Sequence, residues 1–140
     1  MSNIASVYTT VAGYTPTGVT TSRNISAVIL NVADADLPCR LLLPSTNANG
    51  EFVMIGNVQK VGWAIRDLCL WAPLAAGTGI AQYSAAMLTY ISSYISKVKA
   101  GRNPATNCTI VGIEAQMGPV PWGDKDYWAV DITLTVEEIL

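Results

Sequence analysis

The chain closes on a run in which Trp128, Val130, Ile132, Leu134 and Val136 alternate with Tyr127, Ala129, Asp131, Thr133, Thr135 and Glu137. Alternation sends the two sets to opposite sides of an extended backbone, so the run predicts a strand with one buried and one wet face. A second stretch has a different period. Over residues 79–99, Ile80, Tyr83, Met87, Tyr90, Ile91, Tyr94, Ile95 and Val98 recur every three or four positions, which stacks them on one side of a helix. A striped helix and a one-faced strand must cover each other to leave water. Together they predict an α+β fold in which a long helix lies on an antiparallel sheet.

The rest of the chain fits that frame. At 140 residues it has room for one domain, 1–140, with a single continuous core. Ile4, Val7, Tyr8 and Val11 suggest a first helix ending near Gly13, followed by a turn at 15–18 and a short strand at 19–21. A second short helix is expected over 25–32, capped by Ser22 or Asn24. The apolar run Cys39-Arg40-Leu41-Leu42-Leu43 reads as a strand closed by Pro44. Residues 44–59 form either a hairpin tip with a weak strand or a mobile loop carrying Phe52, Val53, Met54 and Ile55. A long strand is expected over 61–71, then a turn in which Thr78 caps the long helix, which Gly101 and Pro104 end. A strand over 108–117 and a proline-stiffened loop over 118–126 lead into the last strand. The expected architecture is therefore an antiparallel or mixed sheet of about four strands. One long helix and one or two shorter ones pack on one face.

Composition narrows the function. Apolar residues make up 51% of the chain and charged ones 13%, about half the ~25% of an ordinary soluble domain. Monomers rarely expose contiguous apolar surface beyond a few hundred Å², so a chain this short of charge is expected to cover surface against other subunits. The net charge of −2 argues against specific nucleic-acid recognition. Lys97, Lys99 and Arg102, the only local cluster of cations, suit the C-terminal end of the helix. The opening MSNIASVYTT lacks the basic start and apolar core of a secretory leader. No run approaches the roughly 18 apolar residues of a membrane span, so no membrane partner is expected. Cys39, Cys69 and Cys108 are then reduced and mostly buried, and the sequons at Asn24 and Asn107 carry no glycan.

Candidate chemistry is thin. The chain has no histidine, the commonest general base and metal ligand near neutral pH. None of the cysteines stands where a thiol pKa is lowered, apart from the weak case of Cys39 beside Arg40. Gly77-Thr78-Gly79 resembles the start of a phosphate loop, yet Gln82 stands where a third glycine belongs. The Asp34/Asp36 and Asp124/Asp126 pairs have too few companions for a calcium loop and suit turns instead. No enzyme activity, cofactor or metal is expected. Trp122, between Pro121 and Gly123, is either an interface anchor or a plug over the end of the sheet. Glu137 and Glu138 are a solvated edge or half of an intersubunit ion pair. The candidate interface is Phe52, Val53, Met54, Ile55, Trp122, Asp124 and Glu137.

Three stretches carry a family likeness: Ala35-Asp36-Leu37-Pro38-Cys39-Arg40-Leu41-Leu42-Leu43-Pro44, Asp67-Leu68-Cys69-Leu70-Trp71-Ala72-Pro73-Leu74, and the closing run from Tyr127 to Glu138. With the helix between them, the chain resembles the tail terminators of long-tailed phages, proteins of the head-to-tail joining region. The resemblance implies a virion structural protein that assembles in the host cytoplasm as a ring, typically a hexamer. Such a ring caps the tail tube, stops its polymerisation and meets the head-side connector protein. Its partners would be further copies of itself, the tail tube protein and that connector. The alternatives are another neck or minor tail protein of the same fold, or a cytosolic small-molecule-binding α+β domain with a cavity between helix and sheet.

Overall fold

A computed structural model describes residues 2–19, 21–23, 37–53, 58–74 and 79–139. In chain order the elements are helix α1 (Ile4–Ala12), strands β1 (Thr21–Arg23), β2 (Cys39–Val53) and β3 (Val58–Pro73), a 3-10 turn (Ile80–Gln82), helix α2 (Ser84–Ala100), and strands β4 (Cys108–Trp122) and β5 (Lys125–Ile139). The strands form one sheet in the order β1-β2-β3-β5-β4. The four long strands are antiparallel to their neighbours, and the three-residue β1 adds in parallel to the start of β2. The chain is α+β.

The closing strand behaves as its alternation requires on one face. Val130, Ile132, Leu134 and Val136 are buried in the main core cluster with Leu42, Ile65 and Cys69 from the neighbouring strands. Val7, Tyr8 and Val11 of α1 join that cluster, as do Met87, Tyr90, Tyr94 and Val98 of α2. The expected wet face is dry at one end. Tyr127 and Ala129 are buried there with Cys39, Leu41, Leu68 and Leu70 in a second cluster. The run Leu68-Cys69-Leu70-Trp71 already carries this feature, because a strand buried on both faces reads as continuous rather than alternating apolar sequence.

Two strands run well past their expected ends. β2 continues through Pro44 to Val53, with a register shift between Leu43 and Asn47 that takes the proline into an irregularity. The hairpin reading of 44–59 is therefore the correct one for the described residues. β4 extends to Trp122 through Pro119 and Pro121, which pair with Trp128 and Asp126, so the expected rigid loop is a strand. Both prolines are tolerated because β4 is an outer strand of the sheet, where one side of the backbone needs no donors. The turn that follows is only Gly123-Asp124, and Gly123 has φ 61°, the positive value that tight hairpins demand.

Helix α2 starts later than its periodicity suggests. The 3-10 turn precedes it, and Tyr83 occupies the N-cap without a side-chain cap bond. It ends as expected: the Gly101 N–H donates to the carbonyls of Lys97 and Val98 at 3.2 Å each. The expected helix over 25–32 and the Thr78 cap lie outside the described residues.

Candidate functional site

Two buried charged centres dominate the interior. Arg40 on β2 and Asp67 on β3 are 2% and 0% exposed, and Arg40 Nη2 lies 2.5 Å from Asp67 Oδ2. Two neighbouring strands bring the pair together across the ladder, where Arg40 faces Cys69 and Leu42 faces Asp67. The guanidinium also donates to the backbone carbonyls of Val11 (2.8 Å) and Tyr14 (2.6 Å), at the end of α1 and just beyond it. The Tyr94 hydroxyl of α2 donates to Asp67 Oδ2 at 2.7 Å, and the guanidinium centre sits 5.6 Å from the Tyr94 ring centroid. Burial alone would depress the Arg40 pKa, but Asp67 beside it more than reverses this, so the group stays charged. Burial, followed by the charge of Asp67, pushes Tyr94 well above the usual phenol range, so it keeps the proton it donates. The polar atoms of this centre are taken up by one another, and the arrangement ties α1, β2, β3 and α2 together.

The second centre is Glu138 on β5, which is fully buried. Its carboxylate accepts from Ser2 Oγ at 2.7 Å, from the Asn3 backbone N–H, from Trp63 Nε1 at 3.2 Å and from Cys108 Sγ at 3.6 Å. Burial works against the ionised form, yet these donors outweigh it and hold the carboxyl below its ordinary pKa. Cys108 responds in the opposite sense: burial and the adjacent carboxylate push its thiol up to about 11. Cys69 is likewise raised, first by burial, and all three cysteines are buried and outside any disulfide. Among the described residues no cluster of three or more His, Cys, Asp or Glu could hold a metal ion. No helix among them is long and apolar enough to cross a membrane.

The candidate interface residues fall into two groups. Phe52 and Val53 end β2, paired with Gln59 and Val58, while Met54 and Ile55 lie outside the described residues. Glu137 sits at that same end of the sheet, where Lys60 pairs with Ile139. It forms a cross-strand ion pair within its own chain, 2.9 Å from Lys60. Its neighbour Glu138 is not a solvated edge. Trp122 and Asp124 occupy the opposite end. Trp122 is half-buried at the last position of β4 and packs on the second core cluster. Asp124 is exposed in the turn.

Sequence reasoning missed both charged centres, although each left a mark. Arg40 and Asp67 are single charges inside otherwise apolar strand runs, and Glu138 continues the inward-facing set Val130, Ile132, Leu134 and Val136. A charge at an inward position has to be paired or hydrogen-bonded. A third feature left no such mark. Ile95, Val98, Lys99 and Arg102 of the α2 end, with Ile110 and Ile113 of β4, line an open, almost wholly apolar groove of about 240 Å³. No protein-family model matches the chain, and no curated protein is significantly similar to it.

Proposed function

We propose that this chain is a ring-forming structural subunit of a phage tail, a terminator that caps the tail tube, halts its polymerisation and forms the joint to the head connector. In this reading the long helix lies on one face of the sheet, and the ring is built from copies of that unit. Closed rings use heterologous contacts, so each copy needs two unlike, complementary surfaces. The observation that carries the reading is where the exposed large apolar side chains fall. Ile95, Val111 and Ile139, 43%, 44% and 53% exposed, lie toward one end of the sheet, Leu74, 39% exposed, stands at the other, and Leu88, 56% exposed, lies on α2 between Met87 and Tyr90 of the core. The family likeness of the stretches 35–44, 67–74 and 127–138 supports the same conclusion, as does the internal use of the buried charges. No catalytic step belongs to it.

The test is tube capping. A phage tail tube protein is polymerised in vitro with and without the purified chain, and tube lengths are measured by electron microscopy. Short tubes bearing an extra ring at one end are expected. Tubes of unchanged length and unmodified ends at stoichiometric protein would overturn the proposal.

A further inference from the structure

We infer that the groove between the C-terminal end of α2 and β4 receives the β4–β5 hairpin tip of a second copy of this chain, with Lys99 and Arg102 facing Asp124 and Asp126. The inference deepens the ring reading above and rests on it for the closing of the ring. Its evidence is the complementarity of the two surfaces, each of which joins an apolar centre to a charged rim of opposite sign.

The groove has a floor of Ile95, Val98, Ile110 and Ile113, and its cations are Lys99 and Arg102. Both cations are exposed, with Lys97 exposed nearby. Its volume of about 240 Å³ falls below the ≈ 300–1,000 Å³ usual for small-molecule pockets, which favours a few inserted side chains over a ligand. The tip is a projection. The last partner of β3 on β5 is Tyr127, opposite Pro73, so the exposed residues 123–126 stand beyond the central ladder. Leu74 is fixed to this projection by its N–H, which donates to the Asp126 carbonyl at 2.9 Å, and its side chain is exposed. Asp124 and Asp126 give the tip two carboxylates against the one cation of Lys125. Lys99, Asp124 and Asp126 take part in none of the ion pairs among the described residues.

The geometry excludes docking within one copy. Ile110, beside the groove, pairs with Val136, whereas the tip lies at the far end of the 15-residue β4. At about 3.3 Å per residue the two are about 45 Å apart. A knob and a hole at opposite ends of one strand make a heterologous contact, which can close into a ring.

Two charge-reversed proteins test this. One carries Lys99→Glu with Arg102→Glu, the other Asp124→Lys with Asp126→Lys. All four positions are exposed, and circular dichroism verifies that each variant folds. Sedimentation velocity is expected to show the unchanged chain as a multimer and each variant alone at least about tenfold weaker in self-association. An equimolar mixture regains the multimer, because every groove then meets a tip of opposite sign. Variants that assemble like the unchanged chain would overturn this docking mode while leaving a ring built through other surfaces. A mixture that stays dissociated would also overturn it. An unchanged chain that remains monomeric at high concentration overturns self-docking, and the tube-capping experiment still decides the functional reading separately.

Discussion

An ionised carboxylate without access to water must be held by something, and at Asp67 the holders are the Arg40 guanidinium and the Tyr94 hydroxyl. Removing one member of such a pair leaves its partner charged and unpaired in the interior, which is costlier than losing both. Asp67→Ala is therefore expected to lower stability by about 3–5 kcal/mol in urea denaturation. Tyr94→Phe, which deletes one bond to a charged acceptor and keeps the ring, is expected to cost about 1.5–3 kcal/mol. The thiols make a second residue-scale case. With Cys108 pushed up to about 11 and Cys69 also raised by burial, little thiolate exists at either near neutral pH. Alkylation at pH 8 should label the native chain slowly and all three cysteines rapidly once urea is added.

At the scale of elements, β5 shows how far one carboxylate can fasten a strand. Glu138 collects donors from Ser2, Asn3, Trp63 and Cys108, which join the N-terminal segment, β3 and β4 to β5. Its folded pKa lies below the unfolded one, so its stabilisation is complete above the ordinary glutamate value of about 4.3. That contribution is lost as pH falls through the folded value. Glu138→Gln should be less stable at neutral pH and show a shallower loss below pH 4.5 when melting temperature is followed against pH. The elements also show what was legible. Helix α2 and the alternation of β5 were readable because each has a strong period and a large apolar face. The far halves of β2 and β4 were not, because Pro44, Pro119 and Pro121 read as terminators. A proline's meaning depends on whether its strand is outer or inner, and only the assembled sheet decides that.

For the whole molecule, the order β1-β2-β3-β5-β4 places β3 and β5 inside and leaves β4 outermost. Native-state hydrogen exchange should find the slowest amides in β3 and β5 around Cys69 and Val130, and faster exchange along 116–122 of β4. The proline-rich stretch ending at Trp122 was not legible as a strand, although the turn at Asp124 was expected to precede the last strand. The groove was not legible either, because it joins the end of α2 to the start of β4, and no period in the chain reports which strand a helix end will overhang. The shared anchorage of the helices matters at this scale as well. The end of α1 hangs from Arg40 and the middle of α2 from Asp67, so a single ion pair bolts both to the sheet. Neither helix can swing away alone, and spectroscopic reporters placed on α1 and on α2 should melt at one temperature.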